Sequence, residues 1–133
     1  MSRSMIPMKK VQQAFSHAVL RRDCRCVVRG YEPCGGSLEC SHFFTQGSSP
    51  ALMFYPANAR AQCRRHHWEH HCRKDGFYRR WLEMNDPEEL EWMERARSRF
   101  IRYTDDLKSR IIELCEDDRL DLVAELVRKE LGE

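Results

Sequence analysis

Residues 1–133 predict an α+β chain: a small zinc-stapled core built on a long-looped β-hairpin, with a helix before it and a helical extension after it. Three observations carry that expectation. Six of the seven cysteines lie between Cys24 and Cys72, and five of the six histidines fall in the same stretch. Most of the glycines and prolines sit between residues 30 and 56, breaking that segment into loops. On both sides of it, apolar residues recur at helical spacing.

The elements follow in order. Residues 8–22 read as a helix with Val11, Phe15, Ala18 and Val19 on one face, and Pro7 stands where a first turn tolerates it. Two short strands are expected at 38–44 and 52–55, joined by a turn-rich loop. From about residue 57 the pattern turns helical, with Asn58 as a candidate N-cap and no glycine or proline until Gly76. After a stretch at 77–84, Asp86-Pro87-Glu88-Glu89 supplies cap, proline and acids for a helix start. Thr104-Asp105-Asp106 starts another, with Leu107, Ile111, Leu114 and Cys115 in register. Asp117-Asp118 opens the last, carrying Leu120, Val123, Val127 and Leu131. The division expected is a core over residues 1–80 and a helical extension over 81–133.

Charge divides at the same place. Residues 1–80 carry a net +9 and residues 81–133 a net −7, so the front half is the part suited to a polyanion. No apolar run reaches the roughly 18 residues of a membrane span. The basic first ten residues contain no apolar stretch of signal-peptide length, so a cytoplasmic setting is expected and no membrane partner. In a reducing compartment, clustered cysteines point to metal ligation instead of disulfides.

Two constellations carry the chemistry. Cys26, Cys34, Cys63 and His66 offer three thiolates and an imidazole, the soft donor set of a structural zinc, with Cys63-x2-His66 at a helix start. Cys24 or Cys40 stands as an alternative to a member of the first pair. The second constellation is His42 at a strand end, Asn58 at the hairpin-to-helix junction and His67 on the helix. Strand, loop, strand and helix bearing His, Asn and His in that order form a ββα-metal arrangement. Phosphodiester hydrolysis needs such parts: a base for water, a group that orients the base, and a cation at the phosphate.

The words LECSHFF (38–44), ALMFYPAN (51–58) and QCRRHH (62–67), with CVVRG (26–30) upstream, resemble the HNH endonuclease superfamily, and within it the phage NinG/Rap recombination nucleases. The resemblance covers roughly residues 11–80. It implies that His42 is the general base, Asn58 the middle asparagine, and His67 the metal-binding end of the motif. It places Cys26, Cys63 and His66 on zinc-ligand positions. There are departures: Ser41 stands where many members have an Asp or His ligand, Met53 where an arginine is frequent, Tyr55 at an acidic or polar position, and Arg29 at the second cysteine of the upstream pair. Glu39 is a candidate replacement carboxylate for the catalytic divalent ion, and His70 and His71 are expected on the helix surface.

The function expected is therefore metal-dependent DNA endonuclease activity in phage recombination or branched-DNA processing, within a bacterial host or encoded by its phage. The cofactors would be a structural Zn²⁺ and a catalytic divalent ion (Mg²⁺, Mn²⁺ or Zn²⁺). Arg60, Arg64, Arg65, Arg73 and Lys74 would contact phosphates, and the tail helices would support packing or a homodimer. The alternative expectation is a zinc-stapled nucleic-acid-binding module without catalysis.

Overall fold

The computed structural model describes residues 5–72 and 76–133. The chain is α+β, with six helices and one antiparallel strand pair among those residues. Helix α1 (Met8–Asp23) starts after Pro7 and ends at Cys24, whose left-handed φ of 64° lets its N–H bond the Leu20 carbonyl. Its buried face is Val11, Phe15, Ala18 and Val19, as the periodicity predicts.

Strand β1 (Leu38–His42) pairs with β2 (Ala59–Cys63) so that Leu38 faces Cys63 and His42 faces Ala59. This corrects the expected second strand at 52–55. Those residues belong to 3-10 turns and bends, in which Leu52, Phe54 and Tyr55 are all fully buried. Burial of adjacent Phe54 and Tyr55 is incompatible with the alternation of a strand that has one wet face. The true strand, ARAQC, hid behind residues that favour helices. Pairing with β1 overrides that propensity, since Ala59 and Ala61 are small enough to be fully buried in the hairpin. Asn58 consequently caps nothing. Helix α2 (Arg64–His71) starts later than expected and is capped by Cys63, whose Sγ accepts the His66 N–H.

Helices α3 (Phe77–Asn85), α4 (Pro87–Ala96), α5 (Asp105–Glu116) and α6 (Leu120–Glu130) lie in the expected stretches, but Asp86 makes no side-chain cap bond to α4, and Asp117 ends α5 so that α6 starts after Arg119 and not at Asp117-Asp118. Thr104 caps α5 by accepting the Leu107 N–H at 3.2 Å. The extension is not a separate unit. Ile111, Leu114, Cys115, Val123 and Val127 join Val11, Phe15, Val19, Leu52 and Phe54 in one hydrophobic cluster that runs across residue 80. A polar clamp reinforces it. Tyr55 donates to Glu89 at 2.6 Å, Arg128 donates to the Tyr55 oxygen at 2.7 Å and also to Glu89, and the Arg128 guanidinium lies 4.2 Å from the Trp92 ring centre. Tyr55 thus anchors α4 and α6 to the hairpin loop. No helix among the described residues is long and apolar enough to cross a membrane.

Candidate metal centre and catalytic pocket

The first site forms where the loop after α1 meets the start of α2. Val27 donates to the Ala61 carbonyl at 3.0 Å, which lays the loop along β2 and brings Cys26 beside Cys63. The chain then returns through Gly35 and Gly36, whose carbonyl partner is Arg65 N–H at Gly35. Gly36 has φ +86°, and a Cβ there would stand 2.8 Å from that of Arg64, so this close crossing needs glycine. The result brings the ligand atoms of Cys26, Cys34, Cys63 and His66 all within 4.8 Å of one another. His66 Nδ1 lies 3.1 Å from Cys63 Sγ, 3.3 Å from Cys26 Sγ and 3.9 Å from Cys34 Sγ. A tetrahedral zinc with ordinary bond lengths puts sulfur and nitrogen about 3.5 Å apart.

The donor set fits a metal such as zinc. Burial, together with the neighbouring Cys26 and Cys63, pushes the Cys34 thiol up to about 12. Burial also acts to raise Cys63, but the N–H groups of Gly35 and His66 aimed at its sulfur outweigh it and hold it below the ordinary value. His66 is fully buried, and its Nε2 finds no partner among the described residues. An imidazole buried with only its Nδ1 face engaged, against three sulfurs, is placed as a ligand would be. Cys24 and Cys40 lie outside this cluster.

The second site is a cavity of about 290 Å³ whose walls include His42, Thr45, Gln46, His67 and His71. His42 Nε2 is 2.8 Å from the Met53 carbonyl. A carbonyl only accepts, so Nε2 carries the proton and Nδ1 keeps the lone pair, with the Gln46 amide 3.5 Å away. Burial, assisted by the nearby His67 and His71, lowers the His42 pKa and keeps the ring neutral at pH 7. Asn58, fully buried, braces the loop between β1 and the first 3-10 turn. Its Nδ2 donates to the Phe44 and Leu52 carbonyls at 3.0 and 3.1 Å, and its Oδ1 accepts the Phe44 N–H at 2.9 Å. The carbonyl that holds His42 is one residue beyond the one that Asn58 holds.

On α2, His67 and His71 are one helical turn apart, and their Nε2 atoms are 3.0 Å from each other. Two nitrogens at right angles on one ion, with bonds near 2.1 Å, stand ~3.0 Å apart, so the pair fits either a shared proton or two corners of one coordination sphere. Glu39 was expected to face the ion, but it sits behind His67 instead, with Oε1 2.9 Å from Nδ1. That contact, with help from Arg64, holds Glu39 below the usual carboxylate range, and it directs the His67 proton away from the cavity. A carboxylate behind an imidazole raises its basicity as a ligand. His71 is exposed on the helix surface, as expected, and also lines the cavity, one helical turn from His67. His70 is also engaged, with Nε2 3.1 Å from the Phe43 carbonyl and its ring stacked on Phe43. Ser41 is fully buried with no partner for its Oγ among the described residues.

The expected phosphate-binding arginines divide. Arg60 is a correction: it pairs with Asp86 at 2.5 Å and lies 4.8 Å from the Trp81 ring centre, with its side chain only 13% exposed. Burial of its stem between hairpin and α3 leaves it structural. Arg64 is exposed beside Glu39, and Arg65 is half-exposed between Glu32 and Glu69. Arg73 and Lys74 lie outside the described residues. Compared with family models, with curated proteins and with solved structures, the chain matches none.

Proposed function

We propose that this chain is a metal-dependent endonuclease of the HNH type that hydrolyses phosphodiester bonds in DNA. The observation that carries the reading is the convergence of a neutral, oriented His42 and the paired His67 and His71 on one open cavity. A base and a cation site on the same pocket are what in-line attack of water on a phosphodiester requires. His42 Nδ1 would take the proton from the attacking water, while the Met53 carbonyl holds the ring and the Asn58 brace holds that loop. His67 and His71 would bind a divalent cation, which when present supplies charge stabilisation at the phosphoryl and leaving oxygens. Cys26, Cys34, Cys63 and His66 would hold a structural Zn²⁺ that fixes the start of α2, and with it the direction of His67. The basic front half would attract the DNA backbone.

The second reading is a zinc-stapled DNA-binding module without catalysis. It draws support from Ser41, which stands where many members of the resembled family carry a ligand but is fully buried and is not among the residues lining the cavity, so the proposed cation site has two histidines. The test is direct: the full chain is incubated with supercoiled plasmid DNA with and without added Mn²⁺ or Mg²⁺. Nicking or linearisation that depends on the ion supports the endonuclease. Salt-sensitive binding with no cleavage under any divalent ion favours the module.

A further inference from the structure

A second cavity, of about 300 Å³, adjoins the first and shares Thr45 and His71 with it. Its floor is aromatic, from Phe43, Phe44 and the stacked His70. Its cationic wall is Arg79 on α3 and Arg97 just after α4, the latter from the extension. Arg79 is already engaged, bonding Glu94 at 2.6 Å. Arg97 differs. It is exposed, has no carboxylate partner among the described residues, and is held with its guanidinium 4.6 Å from the Phe44 ring centre. Stacking on an aromatic face pre-orders the fork while leaving its in-plane N–H groups for an acceptor. The sequence around it is independently informative. Within an extension of net charge −7, residues 95–102 (RARSRFIR) contain four arginines and no acid, and Phe100 in that segment is 84% exposed. Within the run Arg95 pairs with Glu91 and Arg99 bonds the Leu131 carbonyl, whereas Arg97 lines the groove that continues from the reaction pocket, a placement that suits a polyanionic strand.

We propose that Arg97 binds the DNA phosphate flanking the scissile one, so that the C-terminal extension supplies part of the substrate groove. This inference rests on the endonuclease reading and names the strand contact that reading lacks. It carries the substrate surface beyond the basic front half, because the local charge at 95–102 is opposite to that of the extension as a whole.

The test measures binding apart from cleavage. Fluorescence anisotropy follows a labelled 20-base-pair duplex on the full chain without added Mg²⁺ or Mn²⁺, over a series of NaCl concentrations. Plasmid cleavage is assayed in parallel with the ion. Arg97→Gln, which keeps a planar group over Phe44, should weaken binding several-fold and lower the slope of log K against log salt by about 1. Arg97→Lys should restore the slope, because it restores the charge. An unchanged slope in Arg97→Gln, with ion-dependent cleavage intact in the parent chain, overturns the Arg97 assignment and leaves the endonuclease standing. A parent chain that neither binds nor cuts overturns both.

Discussion

At His42, two roles meet in one ring. It packs against Phe15, with ring centres 5.9 Å apart, and satisfies the Met53 carbonyl, so it is part of the structure as well as the proposed base. Removing it leaves a carbonyl short of its donor, which costs about 1–3 kcal/mol. His42→Ala is therefore expected to lower stability by that amount in denaturant melts, whereas an exposed histidine would leave the midpoint in place. The pH dependence has a definite sign. Burial lowers the folded pKa, so the ring is neutral at pH 7, and cleavage should decline only as pH falls below the ordinary histidine value of about 6.5. Stability should fall over the same range, because the unfolded histidine takes up its proton first. A rate profile whose acid limb lies above neutrality would contradict this. Glu39 contacts His67 Nδ1, so in the proposed site it would act through His67. Glu39→Gln is expected to raise the divalent-ion concentration for half-maximal cleavage by about 10–100-fold, with little change in the rate at saturation. A fall in the saturating rate alone would argue against a positioning role.

At the scale of elements, the cysteine-bearing loop and α2 are joined by the candidate metal cluster. The loop 24–37 reaches α2 chiefly through the cluster of Cys26, Cys34, Cys63 and His66 and the hydrogen bonds of Arg64 and Arg65 to Ser37 and Gly35. The purified chain should carry about one Zn²⁺, and its removal by chelator should lower the melting temperature and loosen α2, since metal-binding free energy is folding free energy. A folded, metal-free chain by native mass spectrometry would count against the cluster as a zinc site. This ligand set was legible from residue chemistry and from the Cys63-x2-His66 step, even though Cys34 is well separated from Cys26 in sequence. The hairpin was legible only in half. Leu38–His42 lies between turn-rich segments and runs into Phe43 and Phe44, but Ala59–Cys63 is made mostly of helix formers, and only pairing shows it to be a strand. The displaced strand removes Asn58 only from the N-cap position; its side chain bonds the loop at Phe44 and Leu52. His71 could have been found from its spacing, one turn after His67. Arg60 could not, because the partner that sequesters it, Asp86, is 26 residues away in sequence.

At the scale of the molecule, the charge boundary and the packing boundary do not coincide. Charge changes sign near residue 80, but the hydrophobic cluster runs through it, and Tyr55 is clamped by Glu89 and Arg128. Truncation after Arg80 removes Trp92, Met93, Ile111, Leu114, Val123 and Val127 from that cluster. Several large cavities of this kind, each worth about 2–5 kcal/mol, exceed the stability of a small domain. The truncated chain is expected to lose cooperative unfolding by circular dichroism; a sharp transition near the full-length midpoint would show that residues 1–80 fold alone. The same continuity lets the extension place Arg97 beside the pocket formed by the front half. Conversion of supercoiled plasmid by the full chain, compared with His42→Ala and His71→Ala over a Mn²⁺ titration, tests the central claim most directly. The account predicts ion-dependent nicking by the parent chain, a rate lower by about 10²–10⁴-fold in His42→Ala at saturating ion, and a shift to higher ion concentration in His71→Ala. Equal rates for all three chains would contradict it.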